Sequence, residues 1–245
     1  MLAAVEIPFT HQIPFFPIEE HFLSKPIHLK TLREKNCLVA GQVPLLMVKD
    51  LNGEQCYVQS MATVRMLARR YAPAMCMGRN EEERTDIDIA AEIVLDWRNS
   101  TGGSWEFGMG GFKPNDVQRQ RIQKGNQKYA PILEKMLKRT TSLTPWLAAS
   151  YEWSYADILF LEVMSNMEDG GHLLLDFGDL DTCSQKKKKM NRNQKNDVYY
   201  PNVLKLYLRL KEKMSVYLNS DLRMTKTNQQ EVIEYIRMVN QTFGR

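Results

Sequence analysis

The 245-residue sequence has no pair of cysteines at metal-binding or redox spacing. Cys37, Cys56, Cys76 and Cys183 are scattered, with no Cys-x-x-Cys and no histidine at a matching interval. That excludes a zinc ribbon and a dithiol redox centre, and suits reduced thiols. His11, His21, His28 and His172 form no ligand set either, so no metal is expected. No apolar run is long enough to cross a bilayer, and no basic start leads into an apolar centre as in a secretory signal. The expectation is a cytoplasmic protein with no membrane span. A broad basic surface is lacking as well. The formal net charge is +4, but Lys186, Lys187, Lys188, Lys189, Arg192 and Lys195 all fall within Gln185–Lys195. Without those six, 27 basic residues stand against 29 acidic ones, so nucleic acid is not an expected partner outside that run.

What is present is a 43% apolar chain, enough for one large domain or two small ones. The pattern is organised around Gln42–Tyr71. Leu45–Val48 is short and apolar, Asp50-Leu51-Asn52-Gly53 is a turn cluster, and Gln55–Val58 completes a predicted hairpin. Ser60 is placed to N-cap a helix whose apolar positions are Val64, Leu67 and Ala68. The free N–H groups at such a helix start suit a carboxylate. Tyr71–Gly78, with a proline and a glycine, reads as a linker. Beyond it the periodicity is helical. Glu81–Asn99 carries Ile87, Ala91, Val94 and Leu95 on one face. Lys113–Arg139 is a long charged helix with Tyr129, Leu133, Met136 and Leu137 inward, and Pro131 is expected to end or kink it. Ser154 and Asp157 form a candidate capping box before the apolar run Ile158–Met164, the expected centre of the second domain. Met167–Asn196 reads as a flexible loop, Asn202–Tyr217 and Gln229–Phe243 as helices.

A small α/β unit, a short linker and an all-helical domain, in that order, resemble the cytosolic glutathione S-transferases. The resemblance is carried by Gln42-Val43-Pro44, by Gln59-Ser60 and by Ser154–Asp157, and it is closest to the alpha class through Ile18–Val43, Glu83–Asp96 and Lys128–Lys138. The fold it implies is α/β plus all-α. An incomplete thioredoxin-like N-terminal domain over residues 1–72 precedes an all-helical C-terminal domain over 80–245, with a Lys-rich loop over 168–198. The implied co-substrate is glutathione, with no metal. Arg33, Gln42, Val43, Pro44, Gln59 and Ser60 fall on the family's glutathione contacts, with a cis bond at Pro44. Asp96 and Lys128 fall on positions that reach glutathione across a homodimer, lysine standing where the alpha class has arginine. Val232, Ile236, Val239 and Phe243 match a C-terminal helix that covers the hydrophobic-substrate site.

The sequence departs from the family at its start. Only 17 residues precede Ile18, about a dozen too few for the usual first strand and first helix. The first tyrosine is Tyr57 and the first arginine Arg33, so the family's catalytic tyrosine and its arginine have no counterpart. A free thiol has a pKa of about 8.5, and a hydroxyl donor or a cation beside the sulfur is what favours the thiolate. Thr10 is the one nearby hydroxyl that could substitute. Ala40 stands where the alpha class inserts an aromatic key into its partner subunit, which weakens the expected homodimer. Three readings follow. They are a transferase conjugating glutathione to hydrophobic electrophiles, a non-catalytic relative that binds ligands or partners, and a binding role for the Lys-rich run, whose simpler reading is a solvated insertion.

Overall fold

The computed structural model describes residues 45–50, 53–72, 76–101, 115–169 and 200–219. The chain divides into two compact units, Met1–Pro73 and Ala74–Arg245.

In the first unit, strands β1 (Leu45–Asp50) and β2 (Gly53–Val58) pair antiparallel, from Leu45 opposite Val58 to Asp50 opposite Gly53. The hairpin matches the sequence pattern, but each strand runs two residues further toward the turn than expected. Asp50 and Gly53 are the last rung of the ladder, and Gly53 closes it with φ +110°, a backbone conformation that favours glycine. Helix α1 (Ser60–Tyr71) follows and packs on β2. It buries Leu67 and Ala68 and ends on Arg69 and Arg70, cations that suit the negative end of its dipole.

The second unit is helical. Helix α2 (Glu81–Ser100) packs against α3 (Asp116–Leu137) and α4 (Tyr155–Asp169), and α5 (Pro201–Lys213) lies against both α3 and α4. A short helix α6 (Ser215–Leu218) closes the described part. The helix starts are specified locally. Asn80 Oδ1 accepts the Glu83 N–H at 2.8 Å, and three glutamates fill the first turn of α2. Asn115 and Gln118 form a reciprocal capping box at the start of α3. The core gathers Trp97, Ile122, Leu133, Phe160, Met164 and Leu206, all nearly or fully buried. Trp97 lies 6.2 Å from the Phe160 ring and donates its indole N–H to Asn126 Oδ1 at 2.8 Å. The crossing of α2 and α3 is close because residue 125 is glycine. A Cβ there would meet Ser100 Oγ at 2.6 Å and Thr101 Cγ2 at 2.9 Å.

Three expectations need correction. Pro131 does not end α3, which runs through it to Leu137. Its missing N–H frees only the Gln127 carbonyl on the exposed side, while buried Tyr129, Ala130, Leu133 and Glu134 hold the helix on its partners. Met167–Asp169, expected in a loop, form the last turn of α4 with Met167 fully buried, and the rest of that expected loop up to Asn196 lies outside the described residues. The helix expected over Asn202–Tyr217 is two helices, interrupted at Met214. The C-terminal helix expected over Gln229–Phe243, with its stripe Val232, Ile236, Val239 and Phe243, lies outside the described residues.

Candidate functional site

The start of α1 is the first candidate. Gln59, not Ser60, is the N-cap residue, and neither side chain caps the helix. The reason is backbone conformation. Gln59 holds φ 70° and ψ 109°, a region that non-glycine residues seldom occupy, and its carbonyl already accepts the Thr63 N–H at 2.9 Å. Ser60 is thereby drawn into the first turn, with its hydroxyl exposed rather than spent on capping. No acidic residue lies in that turn. The helix start therefore presents backbone N–H groups, a serine hydroxyl and a glutamine amide, with the positive end of a dipole behind them. Such a set suits a carboxylate. Strain of this kind clusters at ligand-binding positions. The Gln-Ser pair was legible in the sequence. The positive φ was not, because nothing in a glutamine announces it.

The second candidate is the exposed face of α2 and α3. Asp96 is exposed on α2 and Lys128 on α3. The Lys128 ammonium sits 4.7 Å from the Tyr129 ring centre. The Tyr129 phenol, and to a smaller degree the charge of Asp96, favour its protonated form. The face is sorted by charge. Glu82, Asp86 and Asp96 follow one another along α2, and Arg121, Lys124, Lys128 and Lys135 along α3. Ile89, Val117 and Ile132 are exposed on the same two helices.

The remaining residues singled out in the sequence, Thr10, Arg33, Ala40, Gln42, Val43 and Pro44, lie outside the described residues. Tyr57, the first tyrosine, sits half-buried on β2 and donates its hydroxyl to Gln55 Oε1. Among the described residues, no group of three or more His, Cys, Asp or Glu side chains is placed to hold a metal, and no helix is long and apolar enough to cross a membrane.

Cys76 was not singled out as special, and its surroundings make it inert. It is a free thiol with no exposed surface, and burial, aided by the nearby Asp157 carboxylate, pushes its pKa up to about 12. Because the folded value lies above the ordinary 9.0, the unfolded chain loses this proton first. Stability tied to Cys76 is whole below that value and falls as the pH rises from 9.0 to about 12. Cys76→Ala should flatten that alkaline limb in unfolding curves taken across the interval, and a thiol reagent near neutral pH should leave Cys76 unlabelled until the chain unfolds.

No protein-family profile matches the chain. Over 155 residues the sequence is 26% identical to glutathione S-transferase alpha-4 of Rattus norvegicus, covering 62% of this chain and 63% of that one. The match therefore spans somewhat under two thirds of that relative's length. Among solved structures, the chain superposes on a glutathione S-transferase from the hookworm Necator americanus, described as monomeric, with a TM-score of 0.58. The sequences are 17% identical, and 81% of this chain and 83% of that one are covered. A sigma class protein from Fasciola hepatica gives a TM-score of 0.56 at 17% identity, with 89% and 86% covered. The chain has the glutathione S-transferase fold. In that fold the hairpin and α1 are the described part of a thioredoxin-like domain, and α2 to α6 belong to the helical domain. The sequence match carries an alpha-class name and a structural match a sigma-class name, so the fold does not fix the class. Within the glutathione S-transferase fold, Asp157 is used differently from the expected box. Its carboxylate accepts the Ser154 N–H, as expected, but the Ser154 hydroxyl donates to the same carboxylate instead of accepting from the Asp157 N–H.

Proposed function

We propose that this chain is a glutathione transferase of the alpha type, which binds glutathione and joins its thiol to hydrophobic electrophiles. The observation that carries this reading is the 155-residue sequence match to a glutathione S-transferase in a chain that also has the fold. In this reading the γ-glutamyl carboxylate of glutathione docks at the start of α1, on the Ser60 hydroxyl and the first-turn N–H groups, beside the Gln59 amide. Val43, held by Pro44, supplies backbone groups to the cysteinyl part, Arg33 serves the glycyl carboxylate, and Gln42 is a neighbouring glutathione contact. The protein acts in the cytoplasm as a homodimer, with Asp96 and Lys128 reaching the partner's glutathione. The charge-sorted face supports that assembly. A twofold axis would bring the acidic row of α2 against the basic row of α3 in a second copy, with Ile89, Val117 and Ile132 covered.

Ser60→Ala should weaken glutathione binding by about 10- to 100-fold, since a hydrogen bond to a charged group contributes roughly 1.5–3 kcal/mol. Calorimetric titration checks this, with the unfolding midpoint as a control for the fold. A second reading, binding without turnover, is favoured by the engagement of Tyr57, whose hydroxyl donates to Gln55 within β2. The test is glutathione-dependent conjugation of a chlorinated nitrobenzene, with retention on glutathione resin and size-exclusion elution run alongside. Retention with turnover supports the transferase, and Thr10→Ala then asks whether that hydroxyl activates the thiol. Retention without turnover supports the binding-only reading. Failure of a folded protein to be retained overturns both.

A further inference from the structure

We propose that the surface formed by α5 and the 138–146 segment docks on an anionic phospholipid membrane. Two contacts hold that segment along the helix. Just before it, in the last turn of α3, Glu134 accepts the backbone N–H groups of Asn202 and Val203 at 3.0 and 3.1 Å. At its end, Arg209 donates to the Pro145 carbonyl at 2.9 Å. The chain between those anchors leaves α3 near the start of α5 and meets α5 again at Arg209.

The charge on this surface is predominantly basic, with Glu212 as the exception. No acidic residue occurs from Lys135 to Tyr151. Lys138 and Arg139 are exposed on the segment, and Lys205, Arg209 and Lys213 recur every fourth residue along the exposed face of α5. Glu212 is the exposed acid of α5. Lys211 is neutralised by Glu168 at 2.8 Å. Large apolar side chains stand out of the same surface. Leu143 is 72% exposed and Leu208 44% exposed. Leu143 is presented by a turn in which the Thr141 hydroxyl accepts the N–H groups of Leu143 and Thr144 at 3.2 and 3.1 Å.

Basic residues alone would suit any polyanion. The leucines favour a membrane, where they gain by entering the headgroup boundary while the cations stay among the phosphates. Trp146, an aromatic ring at this surface, is buried beneath Arg209 and Lys213, whose charged ends lie 5.8 and 5.9 Å from its centre. It offers no platform on which a base could stack. The Gln185–Lys195 run carries the same sign of charge but lies outside the described residues and is not part of the proposed surface.

The test is sedimentation of the full chain with vesicles of roughly one part phosphatidylserine to three parts phosphatidylcholine, against phosphatidylcholine alone. Binding to the anionic vesicles only, lost as salt is raised, is expected. Lys138→Gln/Arg139→Gln/Lys205→Gln removes three exposed charges and none of the contacts that hold Trp146. It should weaken binding by about a hundredfold, near fivefold per charge, while circular dichroism stays native. Leu143→Ser should weaken binding to a smaller extent without changing its salt dependence. Absence of binding to anionic vesicles at low salt overturns the proposal. So does undiminished binding of the triple variant, which would place the interaction in the Gln185–Lys195 run. Indifference to Leu143→Ser together with displacement by a duplex oligonucleotide would also overturn it, in favour of nucleic acid. These outcomes are independent of glutathione binding.

Discussion

Asp157→Ala should destabilise the helical unit by about 3–5 kcal/mol, enough to leave much of the protein unfolded at physiological temperature. The carboxylate is fully buried and accepts three hydrogen bonds. Leu147 N–H reaches Oδ1 at 2.9 Å, and the Ser154 N–H and hydroxyl reach Oδ2 at 2.8 Å each. One side chain thus ties the start of α4 to the segment around Leu147, ten residues earlier. Alanine leaves three donors without an acceptor in a dry site, each at a cost of about 1–3 kcal/mol before relaxation. Asp157→Asn keeps the shape and one acceptor oxygen, so its cost should be smaller. Urea unfolding, with the slope unchanged and the midpoint lowered, is the check. The pH dependence has an uncommon sign. Burial raises the pKa of Asp157 against its three hydrogen bonds, so the folded chain takes up this proton at a higher pH than the unfolded chain does. Acid therefore does not withdraw stability through this group.

Glu134→Ala carries the next largest expected effect, about 2–4 kcal/mol. Helix α5 begins at Pro201, and its N-cap residue Tyr200 makes no side-chain cap. The cap comes from another helix. Glu134 Oε2 accepts the Asn202 and Val203 N–H groups, and Oε1 accepts the Asn202 amide at 2.7 Å. The negative charge also faces the positive end of the α5 dipole. Glu134→Gln should recover part of the loss, because it keeps one acceptor and drops the charge. The burial of Tyr200, with Glu134 nearby, raises the Tyr200 pKa. Stability tied to that phenol is whole below the ordinary tyrosine value and is lost as the pH rises past it.

The parts of the fold that were legible in the sequence are those set by local chemistry. The hairpin followed from two short runs around Asp50–Gly53, and α2 from its apolar spacing. The inward face of α3 read correctly at Tyr129, Leu133, Met136 and Leu137. What failed depended on distant partners. Pro131 looks like a break until the buried residues around it are seen to hold the helix. Glu134 looks like a surface charge in a row of charges, and only the arrival of Asn202 makes it a cap. Gln59-Ser60 read as an anion site, but the roles within the pair were misassigned, because the sequence carries no sign of the positive φ at Gln59. Asp157 read as half of a box, and its bond to Leu147 depended on a loop whose path the sequence does not reveal.

The most direct test of the glutathione-site reading is a calorimetric titration of glutathione into the full chain and, in parallel, into Ser60→Ala. Saturable binding by the first, weakened about 10- to 100-fold in the second with the fold intact, is the expected result. No binding by a folded protein, or equal binding by both, would contradict the assignment of the start of α1 as the glutathione site.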